Sequence, residues 1–254
     1  MNSRTQSLNI TLPSSWSELN QIELYFLFLQ LSRNLTAEEI MALCLFKWAH
    51  LKVITRLENG YYLITHEGNK YELSTQQLCC AALFLGWIDE LPTVPIQLKF
   101  IGKHKALPVD FDKVPFEKFL YTDNLWQGYL HTQDPAFLQQ MAEVLYDCDG
   151  IRLNAAQEVA VFYWYVSLKT WFSKKFDNFL KPVGDDQEKG NRLGATPDIG
   201  LKIEKAYNAQ IRALTGGDIT KEREVLQSNT LRALPELDAK AKEAEEMRKT
   251  MKQH

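Results

Sequence analysis

Apolar residues recur at helical spacing along most of this chain, switch to alternation in one short stretch, and return to helical spacing at its end. The first helical pattern follows Pro13, where Ser15 and Glu18 have the spacing of a capping box and predict a helix from about Trp16 to Ser32. Thr36 with Glu39 repeats the device and starts a second helix, with Ile40, Leu43, Cys44 and Trp48 along one face. The period then changes. Two short runs, 51–56 and 61–65, flank Asn59-Gly60, the pair best suited to a tight β-hairpin, and 70–73 offers a third strand. Ser74 and Gln77 cap a third helix running to about Trp87, and Ile96 to Ile101 is expected to join the same small sheet. Pro115 suits the first turn of a helix through Phe119 and Trp126, and Asp134-Pro135 is a cap followed by a first-turn proline.

The most apolar pattern, Ala155 to Phe176, has aromatic residues all round and predicts a central helix packed on several sides. The residues from Lys181 to Gly194 are rich in Gly, Pro and charge, so the expected boundary lies there. Beyond it, Asp198 to Leu214 reads as an amphipathic helix with Ile199, Ile203, Ala206 and Leu214 on one stripe. Gly216-Gly217 ends that helix, Asp218 restarts the chain, and Pro235 suits the first turn of a final helix. Leu237, Ala241, Ala244 and Met251 give this last helix a narrow seam, which fits either a coiled-coil contact or a helix lying back on the main domain. The pattern thus predicts a predominantly α-helical α+β protein with a small antiparallel hairpin sheet. Residues 1–180 form the core domain, 181–197 a linker, and 198–254 a C-terminal helical partner-binding segment centred on Ile211, Leu214, Ile219, Val225, Leu226 and Leu237.

Composition narrows the function classes. The formal charge is −3; residues 185–254 hold 13 acidic and 13 basic side chains, leaving 19 against 16 before them, so neither part carries a basic nucleic-acid footprint. Leu24 to Leu31 is too short to span a bilayer, and no small-residue cleavage site follows it, so neither signal peptide nor membrane span is expected. Cys44, Cys79, Cys80 and Cys148 lack C-x-x-C spacing, and the first three sit in apolar runs, which reads as buried free thiols in a reducing compartment.

Candidate chemistry is sparse. His50, His66, His104, His131 and His254 are scattered, with no second histidine or cysteine at ligand spacing, so no metal and no cofactor are expected. Gly102-Lys-His-Lys105 lacks the serial glycines of a phosphate loop and reads as a solvated turn. Asp110 with Asp112, and Asp185 with Asp186, offer close carboxylates for acid/base work or cation binding, but both pairs sit in connections. No nucleophile elbow occurs, so no catalytic residue is assigned.

Three phrases, Leu12 to Leu19, Phe162 to Phe172 and Ala213 to Leu226, resemble an uncharacterised family encoded in phages and prophages of gut Bacteroidales, and the likeness spans most of the chain. The resemblance brings no catalytic residues with it. It implies a virion-assembly role encoded among tail genes: a tail assembly chaperone, or a small structural component of the tail or connector, acting by contact in the bacterial host cytoplasm and, in the structural version, in the virion. The implied partners are tail or connector proteins or further copies of the chain. The competing class is a regulatory or nucleic-acid-processing protein of a mobile element.

Overall fold

Side chains that satisfy the free amides of a first turn fix where most helices begin. In the computed structural model, which describes residues 8–180 and 199–252, Thr36 and Glu39 form the capping box of α2 (Ala37–Trp48), and Ser74 and Gln77 that of α3 (Thr75–Leu83). The first helix, α1 (Gln21–Leu31), starts later than expected. Asn20 caps it, with its side chain on the amides of Ile22 and Glu23 while Glu23 returns to the Asn20 amide. Glu18 instead turns back to Ser14, bonding its amide at 2.7 Å and hydroxyl at 2.8 Å, and Trp16–Glu18 is a single 3-10 turn.

The hairpin pairs β1 (Lys52–Arg56) with β2 (Tyr62–His66), and β3 (Asn69–Leu73) completes an antiparallel sheet of order β1-β2-β3. Only Gly60 of the turn pair takes a positive φ, +84°; the Asn59 side chain accepts the Tyr61 amide, and Leu57 bonds across the turn to Tyr61. The Ile96–Ile101 stretch does not join this sheet. β4 (Phe100–Ile101) pairs with the next residues, β5 (His104–Lys105), through a turn in which Gly102 has φ +58°. A local two-residue ladder forms there because a one-turn return meets its partner immediately, without a long loop closure.

The remaining helices are α4 (Phe116–Thr132), α5 (Pro135–Leu145), α6 (Ala155–Lys175), α7 (Ile199–Thr215), α8 (Glu222–Gln227) and α9 (Thr230–Lys252), making nine among the described residues. Asp134 caps α5 as expected, its carboxylate on the Ala136 amide and Pro135 in the first turn. Pro235 lies inside α9 and not in its first turn, since the Asn229 side chain takes the Leu231 amide and starts the helix earlier. Pro235 is exposed, so the helix carbonyl that loses its amide partner can face water.

Contacts gather the chain into two compact units: Met1–Pro92 with Leu153–Tyr163, and Thr93–Arg152 with Trp164–His254. The boundary expected at 181–197 lies outside the described residues, and the C-terminal helices belong to the second unit. In the first unit, Trp16, Phe28 and Tyr163 cluster with ring centroids 5.2–6.4 Å apart. Two indoles tie its N-terminal segment down: Trp16 Nε1 donates to the Glu90 carbonyl at 2.8 Å and Trp87 Nε1 to that of Pro13 at 3.0 Å.

In the second unit, Trp164, Tyr165, Leu168 and Phe172 of α6 are fully buried, as the all-round apolar pattern requires. Trp164 Nε1 donates to the Val109 carbonyl at 3.0 Å, and its ring meets Phe111 and Tyr146 edge-on. Phe111 accepts a left-handed φ of +62°, a strained position for a bulky residue, and its ring is completely buried against Phe119 and Trp164. No helix among the described residues is long and apolar enough to cross a membrane.

Candidate partner-binding surfaces

The C-terminal region is tied to the second unit by backbone as well as side chains. Gly216 and Gly217 leave α7 with φ of +64° and +87°, and Asp218 caps the 3-10 turn Ile219–Lys221 through the Thr220 amide. The chain then pairs briefly with the start of α4: the Phe116 amide donates to the Ser228 carbonyl at 2.8 Å and the Thr230 amide to that of Val114 at 2.9 Å. Asp238 of α9 accepts from the amides of Asn178 and Phe179, at 2.8 and 2.9 Å, and from the Asn178 side chain. These bonds clamp α9 onto the turn that follows α6.

The six residues expected to bind a partner therefore divide. Ile211, at 6% exposure, and Leu237, at 3%, belong to the core of their own unit together with Ala233 and Leu234. Leu214, Val225 and Leu226 are half-buried. Ile219 alone stands clear, at 79%. Residues packed this deeply cannot present a surface, so the partner-binding assignment is corrected for Ile211 and Leu237: their stripe exists to dock the C-terminal helices onto the chain itself. The side chains of Ile199 and Ile203, read as part of the same stripe, lie outside the described residues.

The distal half of α9 is different. Ala241 is half-buried, and from Lys242 to Met251 every residue except the half-buried Glu245 is exposed. Met247 and Met251 are 59% and 76% exposed, and with Ala244 they follow a 3-4 spacing that places them on one face. Glu243, Glu246 and Thr250 line that face, and Glu245 and Lys249 pair at 2.7 Å along the helix. Unbranched, polarizable Met side chains adapt to irregular partner surfaces, which suits such a stripe to binding.

One open cleft of about 840 Å³ in the second unit collects carboxylates from three elements. Glu117 comes from α4, Glu143, Asp147 and Asp149 from α5 and the loop after it, and Glu204 from α7; Lys118 pairs with Asp147 inside it. No sequence pattern signalled this gathering, because its members are far apart in the chain. Cys148 lines the cleft, but burial, and then Glu143, Asp149 and Asp147, raise its thiol pKa, the opposite of what an attacking thiolate needs. Among the described residues no group of three or more His, Cys, Asp and Glu could hold a metal ion.

The structure places the other sequence candidates as follows. Asp110 accepts the Asp112 amide at 3.0 Å, and the Asn229 side chain reaches Asp112 at 3.4 Å, so this pair shapes the loop before α4. Asp185, Asp186 and His254 lie outside the described residues. Gly102 and Lys103 turn the chain between β4 and β5, with His104 and Lys105 in the ladder, and the His66 ring meets the Ala49 carbonyl at 2.9 Å. All four cysteines are free; Cys44 is buried, with its thiol pushed up to about 12 by desolvation, but Cys79 and Cys80 are exposed, against the expectation of burial. Their helix α3 carries no buried side chain, so an apolar run here did not mean a core position. No protein-family model, no curated protein and no solved structure matches the chain.

Proposed function

We propose that this protein works by contact in phage tail assembly, as a tail assembly chaperone or a small component of the tail or connector, with the distal half of α9 as its partner-binding surface. One observation carries the choice of surface. α9 is anchored at its start by Ala233, Leu234, Leu237 and the Asp238 clamp, then continues for about three turns with an exposed stripe of Ala244, Met247 and Met251. An undocked segment of that length is marginal as an isolated helix, and it persists here because it propagates from a docked one. The tail-assembly context rests on the sequence resemblance.

The proposed mechanism is helix-in-groove recognition: the Met stripe lies in an apolar groove of the partner while Glu243, Glu246 and Arg248 at its borders set orientation. Ile219 adds a second exposed apolar contact from the turn before α8. The acidic cleft weighs against the nucleic-acid-processing alternative, since carboxylates repel a phosphate backbone. Replacing Met247 and Met251 together with Asp should abolish co-purification with tail or connector proteins while leaving the thermal melt unchanged. Retained co-purification would remove the stripe from the interface. Mass spectrometry of purified virions then separates the two versions: a structural component is present at stoichiometric copy number, and a chaperone is absent.

A further inference from the structure

The sheet of the first unit has an open edge. β2 takes one side of β1, and among the described residues no strand takes the other. All five residues of β1 are exposed, and the apolar pair near its centre, Val53 and Ile54, is exposed by 49% at each position. The pairing passes from Val53 with Ile64 to Thr55 with Leu63, so Ile54 is the extra residue of a bulge. Such an edge offers unpaired amides and carbonyls to any extended segment, and charged side chains are a usual guard against indiscriminate pairing. Here the guards are Lys52 and Arg56, one at each end of the strand. Both are cations, and no ion pair among the described residues uses either of them. The acids of the sheet, Glu58 and Glu67 in its turns and Glu72 on β3, all lie outside β1.

We propose that the outer edge of β1 takes an acidic extended segment of a partner protein as a further strand of the sheet, with apolar residues set against Val53 and Ile54 and a carboxylate toward each of Lys52 and Arg56. The backbone selects the shape of the occupant: free strand amides and carbonyls are matched by another strand, whereas a helix has already spent its own on itself. The two unpaired cations select its charge. They also turn away a second copy, because an antiparallel contact between two β1 strands about a two-fold axis sets Lys52 opposite Arg56 at both ends. Main-chain bonds thus supply the affinity, and the end charges decide between partners. The proposal does not depend on the role given to α9.

The test uses the full chain, isotope-labelled for amide NMR, and a capped synthetic peptide Glu-Thr-Val-Val-Thr-Glu as probe. Millimolar peptide should shift the amide resonances of residues 52–56. The same peptide with Lys in place of both Glu should bind about tenfold more weakly, and added salt should narrow that difference. Lys52→Glu with Arg56→Glu should weaken binding of the acidic peptide by about tenfold, since two attractions become two repulsions. Both side chains are exposed, so the melt of this variant should not move. No shift at residues 52–56 in millimolar peptide, or an unchanged affinity in the variant, would overturn the proposal. Shifts confined to residues 69–73 would overturn it as well, moving the contact to the opposite edge of the sheet. Equal binding of the acidic and basic peptides by the wild type would do so even if the variant failed to fold.

Discussion

Asp238→Ala tests whether the C-terminal helices are an integral part of the second unit. The carboxylate accepts three hydrogen bonds, from the Asn178 and Phe179 amides and the Asn178 side chain, all between 2.8 and 2.9 Å. A hydrogen bond to a charged group contributes about 1.5–3 kcal/mol net. Asp238 is half-buried, so water can replace part of what is lost, and the three bonds act as one cluster and do not add. A net loss of about 2–3 kcal/mol follows from taking the lower end for the pair of backbone bonds. For a chain of this size that lowers the melting temperature by about 5–10 °C. Far-ultraviolet circular dichroism would read it, with urea unfolding as a second measure. Asp238→Asn, which keeps the shape and one acceptor, should recover part of the loss. A melt of Asp238→Ala within about 1 °C of the parent would show that the clamp does not hold α9, and the docking argument would fall with it.

The other predictions are local. Trp164→Ala removes a fully buried ring and its bond to the Val109 carbonyl, and should cost about 3–5 kcal/mol in a denaturant titration. Gly128→Ala should destabilise by about 1–2 kcal/mol despite the better helix propensity of Ala, because a Cβ there would stand 2.5 Å from the Phe137 ring across the α4–α5 contact; a stabilised variant would mean that the ring moves aside freely. Asn20→Ala should cost about 1 kcal/mol and Ser15→Ala nearly nothing, since only Asn20 caps α1. Brief alkylation of the dilute native protein should label Cys79 and Cys80 first and leave Cys44 untouched, its thiol being buried and raised to about 12; peptide mapping reads the order.

Local chemistry was the legible part of the fold. Thr36, Ser74 and Asp134 each cap the helix their spacing indicated, because a cap is decided within one turn of chain. At α1 the reading failed: Ser15-Glu18 has the spacing of a box, but Asn20 and Glu23 form the one that caps the helix, while Trp16 packs against Phe28 and Tyr163 ahead of it. Pro235 misled for a related reason, since an exposed proline inside a helix costs little when the freed carbonyl meets water. The candidate sites were less legible still. Periodicity shows that Ile211 and Leu237 must be covered but not by what, and here the cover is the chain's own second unit. The acidic cleft draws on residues 117 to 207, and no window of sequence contains it.

The most direct test of the central claim is cross-linking mass spectrometry on the tagged full chain in phage-producing cells, compared with the Met247→Asp, Met251→Asp variant. The expected result is a tail or connector protein cross-linked to Lys242, Lys249 or Lys252 in the wild type and lost in the variant, whose melt is unchanged. Cross-links to a tail protein that persist in the variant, or no tail or connector protein cross-linked to these lysines at all, would contradict the account.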